Sequence, residues 1–243
     1  MGTVNVGAGL ARDAGDSVCQ LHPGDAIAGK PAPTFDRTML QIAFQPRFYK
    51  ELPMAWMPPL HILLSPITAD TGATIEQVQL KPLYYAAQKD ALARAGDDED
   101  DQFFELAKLA TGLSEKELDQ LKRPDYVSIA QYVHEMSTRP ASFFLGEADG
   151  PSQYEQVQLL LPLDAAGRSL TGLSLEMPAL RATKAMKKLA TNKERAEFIT
   201  AHCTGLMIPD LAGLTVPDWT ELQERIDDFL NKPADFFRSA TSK

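Results

Sequence analysis

A 34-residue pattern occurs twice in this chain, and no other feature limits the fold as strongly. The first copy runs from Thr111 to Phe144 and the second, 93 residues later, from Thr204 to Phe237. Thr111-Gly112-Leu113 returns as Thr204-Gly205-Leu206, and Leu118 and Leu121 return as Leu211 and Leu214. Pro124-Asp125-Tyr126 becomes Pro217-Asp218-Trp219, and Pro140-Ala141-Ser142-Phe143-Phe144 becomes Pro233-Ala234-Asp235-Phe236-Phe237. Eleven of the 34 paired positions are identical without a gap, where ordinary composition gives roughly two. The chain must therefore fold the same local structure twice.

The repeated residues are those that start, stop and pack helices. Gly112 and Gly205 follow apolar helical patterns and suit the left-handed residue that ends a helix. Ser114 and Glu117 have the spacing of a capping box, and a two-turn helix carrying Leu118 and Leu121 is expected after it. Asp125 and Asp218 read as N-caps or first-turn acids of the next helix. Behind them Tyr126, Ile129, Val133 and Met136 share one helical face, as do Trp219, Leu222, Ile226 and Phe229. Pro-Ala-x-Phe-Phe reads as a stop followed by an apolar clasp.

Upstream of each copy the period changes from that of a helix to that of a strand. His61–Ile67 and Thr74–Leu80 around Asp70-Thr71-Gly72 predict a β-hairpin. Val157–Leu163 and Ser169–Leu175 around Ala166-Gly167-Arg168 predict another. Helices are expected over Tyr84–Ala95 and Gln102–Ala110, with Asp97–Asp101 as a solvated acidic loop before the second. In the other copy they are expected on a segment bearing Arg181, Lys184, Lys187 and Lys188, and over Lys193–Cys203. The fold class is thus α+β: two tandem repeats, each a hairpin followed by three or four short helices, preceded by an extended arm. The boundaries are 1–55 for the arm, 56–146 for the first repeat and 151–243 for the second, with Gly146–Gln153 as a polar linker. Within the arm Thr38–Phe44 has strand character, and Phe44, Phe48 and Tyr49 are apolar anchors for a neighbour.

Candidate chemistry is sparse. Gly24–Lys30 matches most of a phosphate-binding loop, but Pro31 stands where a Ser or Thr must reach magnesium. Gly7-Ala8-Gly9 lacks the third glycine of a dinucleotide fingerprint, with Arg12 in its place. Asp97–Asp101 has neither the glycine nor the terminal glutamate of a calcium loop. Cys19 with His22, and His202 with Cys203, lack the second half of a zinc site, and two distant cysteines form no disulfide framework. No catalytic, cofactor-binding or metal-binding residue is expected. A net charge of −9 argues against a nucleic-acid surface, and neither a secretory leader nor a membrane span is expected.

Six aromatic residues allow two readings. Tyr126 and Trp219 open their helices as half-buried core or as anchors for a partner peptide. Phe143, Phe144, Phe236 and Phe237 divide in the same way. These six are the candidate partner-binding residues.

A hairpin ending in Leu80-Lys81-Pro82-Leu83, then helices, then the capped pattern of Thr111–Met136 resembles the tail assembly chaperone-like proteins of tailed bacteriophages. The second copy matches with Met207-Ile208-Pro209 in place of the capping serine and one extra residue in Leu175-Glu176-Met177-Pro178. The resemblance covers about residues 60–144 and 157–237 as a tandem duplication. It implies a non-enzymatic morphogenesis factor in the host cytoplasm that binds tape measure or tail tube protein. The alternative is a structural component retained in the virion, in the tail or baseplate, and a homo-oligomer within an assembly fits either.

Overall fold

Proline interrupts a strand ladder because it has no N–H to give, and each hairpin carries one at the same place. The computed structural model describes residues 56–146 and 154–240. In it Leu60–Thr68 (β1) pairs antiparallel with Thr74–Gln79 (β2), and Gln156–Ala165 (β3) with Arg168–Ser174 (β4). The register slips between Ile62 and Ile67 in one hairpin and between Gln158 and Leu163 in the other, the stretches that hold Pro66 and Pro162. The second turn is tight, with Ala166 at φ 49 and Gly167 at φ 73, the left-handed pair that suits a twisted two-residue hairpin.

Helices follow each hairpin, as the periodicity predicts. In the first repeat they are Tyr85–Ala95 (α1), Glu99–Thr111 (α2), Glu115–Leu118 (α3), Arg123–Thr138 (α4) and Ala141–Leu145 (α5). In the second they are Leu180–Met186 (α6), Asn192–Thr204 (α7), a 3₁₀ turn at Ile208–Gly213, Val216–Asn231 (α8) and Ala234–Ala240 (α9). Gly112 and Gly205 end α2 and α7 at φ 73 and φ 71, donating back to the carbonyls of Lys108 and Ala201. Ser114 and Glu117 form the expected capping box. The copies match at the level of single hydrogen bonds. Lys81 N–H donates to Ala110 and Glu176 N–H to Cys203, tying the end of each hairpin to its helix.

Three local expectations need correction. The acidic run is not a loop ahead of the helix: Asp98 is the N-cap of α2, accepting from the amides of Asp100 and Asp101, so helix begins at Glu99. Three acids in the first turn gain from the helix dipole, which moves the start upstream. The Leu118 helix is one turn, with Leu121 just beyond it. The basic helix α6 stops at Met186, leaving Lys187 as its C-cap and Lys188 outside. Asp125 and Asp218 stand in the first turns of α4 and α8, as the spacing predicts, and their longer-range contacts are taken up with the site. The arm, its strand and anchors, the two near-motifs with Cys19 and His22, and most of the linker lie outside the described residues.

Two apolar clusters form the interior. The first joins Leu63, Ile67, Val78, Leu83, Ile129 and Val133 with others of the first repeat, and also takes in Leu160 and Val216 of the second. The second gathers Leu159, Leu163, Ile199, Leu211, Leu222 and Ile226 with their neighbours. The repeats thus share core residues across a seam, although each closes around its own hairpin and long helix.

Candidate functional site

The strand interruption leaves backbone N–H groups without ladder partners, and such groups must find an acceptor when buried. Leu64 N–H donates to both carboxylate oxygens of Asp125 at 3.2 Å. Leu160 N–H donates to Asp218 Oδ1 at 2.7 Å. Both aspartates are 1% exposed, so each binds its hairpin to its long helix. Asp125 caps nothing in its own helix, where Lys122 is the N-cap without a side-chain bond. It accepts instead from His61 Nε2 at 3.1 Å. Asp218 does both jobs, since it also closes a capping box with Thr215. Burial pushes its carboxyl up to about 6, against the pull of the Leu160 and Thr215 donors.

The seam between the repeats is polar as well as apolar. Val216 N–H donates to Leu83 and Tyr85 N–H to Leu214, flanking a bridge between Tyr84 and Thr215. Tyr85 stacks on Trp219 with ring centroids 4.1 Å apart and planes 19° apart. Its hydroxyl donates to Glu197 at 3.0 Å, and Lys89 Nζ lies 3.3 Å from the same carboxylate. Burial, and then Glu197, hold the Tyr85 hydroxyl in its protonated form. On the other side Ser142 donates its N–H and hydroxyl to Glu221 Oε2. Glu221 Oε1 accepts from Arg225 Nε at 2.8 Å, and the guanidinium donates on to the Gln156 carbonyl. Both charges are buried, where an ion pair holds only if its remaining atoms are bonded as they are here.

The six aromatic candidates lie in three places. Tyr126 is half-buried, edge-on to Phe103 and under the Arg123 guanidinium. Trp219, also half-buried, faces Tyr85 in the seam. Phe143 is 50% exposed beneath Arg139, while Phe144 is half-buried edge-on to Trp56. Phe236 and Phe237 are half-buried around Tyr154, with Phe229 against Phe237.

Two apolar surfaces went unsingled at the level of sequence. On β1, Leu60, Ile62 and Leu64 are 49%, 71% and 72% exposed, with Met57 beside them at 80%. Their alternation is visible in the sequence, but which face the core takes depends on the helices. The other is a groove of 280 Å³ in the second repeat, lined by Met186, Ile199, Ile226 and Leu230 with Arg195, Gln223 and Asp227 at its edges. Arg181, Lys184, Lys187 and Lys188 are all exposed on the segment leading to it, and none joins an ion pair among the described residues. No group of three potential metal ligands occurs among the described residues, and no described helix is long and apolar enough to cross a membrane.

Comparison with known protein families returns one model twice along the chain, that of the phage tail assembly chaperone proteins E, 41 or 14. It matches residues 60–137 and 156–231, together more than half of the 243 residues. No curated protein and no solved structure matches the chain at a significant level.

Proposed function

Because the chain belongs to the phage tail assembly chaperone family, we propose that it acts in the host cytoplasm by holding tape measure or tail tube protein until the tail assembles. The family supports a non-enzymatic role in tail assembly, and the geometry supports binding by surface. The observation that carries the reading is the groove between α6, α7 and α8. Its floor is apolar, its volume is 280 Å³, and cations with no ion pair among the described residues stand on the segment beside it. That volume lies below the usual range of small-molecule pockets and suits one or two apolar side chains. Helices wall it, so no strand edge offers hydrogen bonds to an extended peptide. The occupant is therefore a helical segment with apolar anchors and carboxylates on its flanks. Tyr126, Trp219, Phe143, Phe144, Phe236 and Phe237 are proposed secondary contacts, with Phe143 first among them because half its surface is exposed.

The test is co-expression with the tape measure and tube proteins of the same phage, followed by affinity capture. Lys187→Glu with Lys188→Glu is expected to reduce capture of the partner about tenfold or more, and Phe143→Ala to reduce it less. No capture of either tail protein by the wild type would overturn the reading. Retention in the virion is the second reading, favoured by the buried charges and shared core that fix one repeat on the other. Mass spectrometry of purified particles separates the two: a constant copy number in the particle supports a tail or baseplate component, and absence supports the chaperone.

A further inference from the structure

A strand alternates its side chains between two faces, and a core packed on one face leaves the other to solvent or to a partner. In the first hairpin β1 turns Leu63 into the core and Leu60, Ile62 and Leu64 away from it. All three are exposed, as is Met57 just ahead of the strand. Across the ladder Leu60 pairs with Gln79 and Ile62 with Gln77. Directly opposite residues share a face of the sheet, and both glutamines are exposed. The outer face of the hairpin is thus an apolar stripe edged by amides.

The second repeat supplies a comparison within the same chain. Leu64 and Leu160 hold the same place, because each gives its N–H to the repeated aspartate. Counted back along the strands from there, Leu60 corresponds to Gln156 and Ile62 to Gln158. The ladders agree: Gln156 pairs with Ser174 and Gln158 with Gly172, and the register slips just after Gln158 as it does just after Ile62. Gln156 and Gln158 are exposed, as Leu60 and Ile62 are. The same exposed places therefore carry amides in one repeat and apolar side chains in the other. The hairpin does not need the apolar residues, since its second copy forms without them. Clustered apolar side chains at exposed places that accept glutamine mark a contact surface.

Charge and area select the occupant. A chain of net charge −9 repels its own copies, so two copies can meet only where charge is absent. Met57, Leu60, Ile62, Leu64, Gln77 and Gln79 include no ionisable side chain, and a partner chosen by opposite charge gains nothing from them. A patch of this kind offers on the order of 500 Å², and two of them face to face bury about 1,000 Å², the lower bound of a specific contact. We infer that two copies of this chain pair through this face, sheet against sheet about a twofold axis, with Ile62 of one copy meeting Ile62 of the other at the middle of the stripe. Gln77 and Gln79 then lie at a polar rim, where amides hydrogen-bond across the contact. Such a contact closes at two copies. No β1 residue lines the groove of the second repeat, so the pair presents two grooves. The inference does not rest on the tail-protein reading, since it needs no other protein.

The test uses the full chain with Ile62→Glu, Ile62→Lys and, as a control for added charge, Gln158→Glu at the equivalent place in the second repeat. These positions are exposed, and circular dichroism checks folding; Leu60→Glu or Leu60→Lys replaces an Ile62 variant that does not fold. Sedimentation velocity of the wild type is expected to show a two-copy mass at about 100 μM, a concentration that populates even a weak contact. Each Ile62 variant alone sets like charges against each other and raises the dissociation constant about a hundredfold or more. An equimolar mixture of Ile62→Glu and Ile62→Lys recovers the two-copy complex, because a twofold axis at this residue brings the opposite charges together. Gln158→Glu associates as the wild type does. A wild type that is monomeric at about 100 μM overturns the inference, and protection of the Ile62 methyls in that monomer assigns the face to another occupant. Growth past two copies overturns it as well. So does association that the Ile62 variants leave unchanged or that Gln158→Glu weakens equally, or a mixture that recovers no complex.

Discussion

Asp218 carries the sharpest prediction at the scale of a single residue. Its carboxyl is raised from the ordinary 3.8 to about 6 because burial disfavours the charge more than three donors favour it. The folded chain therefore binds this proton more tightly than the unfolded chain does. The stability it contributes is complete below pH 4 and is lost as pH rises through 6, by on the order of 2 kcal/mol. Urea titrations from pH 4 to pH 7 are expected to show that decline in the wild type and its absence in Asp218→Asn. Equal slopes in the two proteins would remove Asp218 as the cause. The repeated aspartates also mark the edge of what a sequence displays. Their place at the start of a helix is a local fact, but the acceptor role that matters joins Asp125 to Leu64 across 61 positions. No spacing rule reports such a bond.

At the scale of elements, the helix ends were the most legible feature. Gly112 and Gly205 sit in the left-handed region, which costs a residue with a Cβ about 1 kcal/mol. An alanine at position 205 would meet no other atom within 4 Å, and one at 112 would meet only the movable end of Lys81. Gly112→Ala and Gly205→Ala are accordingly expected to cost about 1 kcal/mol each, by backbone strain alone. Thermal denaturation checks this, and a loss of several kcal/mol in either would mean a packing role. Element lengths were less legible. The basic segment reads as one helix through Lys188, yet α6 stops at Met186 while its counterpart α1 runs eleven residues. In α1, Ala91 lies in the shared core. Counted from the first residue of each helix, the matching position in α6 is Met186, its last residue.

On the scale of the whole molecule, the seam decides how the chain behaves. Leu160 and Val216 belong to the core of the first repeat, and Glu221 is held by Ser142 on one side and Arg225 on the other. Unfolding of the described region is expected to be one cooperative transition, followed in urea by the fluorescence of Trp56 and Trp219 and by far-ultraviolet dichroism together. Glu221→Ala breaks the buried Glu221–Arg225 ion pair, a loss of about 3–5 kcal/mol. Two separated transitions in the wild type would show that the repeats fold independently and that the seam contributes little. The six aromatic candidates are also sorted at this scale. The seam contains Trp219, whereas its counterpart Tyr126 meets Phe103 of its own repeat.

By itself, the sequence determined the duplication, the hairpin-then-helices order, the glycine stops and the Ser114 capping box. Each depends on residues a few positions apart, where backbone sterics and short hydrogen bonds act before any tertiary contact exists. Only the tertiary structure decided which face of each hairpin is covered, why the repeated aspartates are buried, and which elements the repeats meet through. Those outcomes depend on groups about 60 or more positions apart competing for the same buried space, and the two copies present nearly the same local pattern to that competition. Leu64 and Leu160 have the same side chain and the same hydrogen bond, yet one is 72% exposed and the other, gathered into the core of the first repeat, 3%.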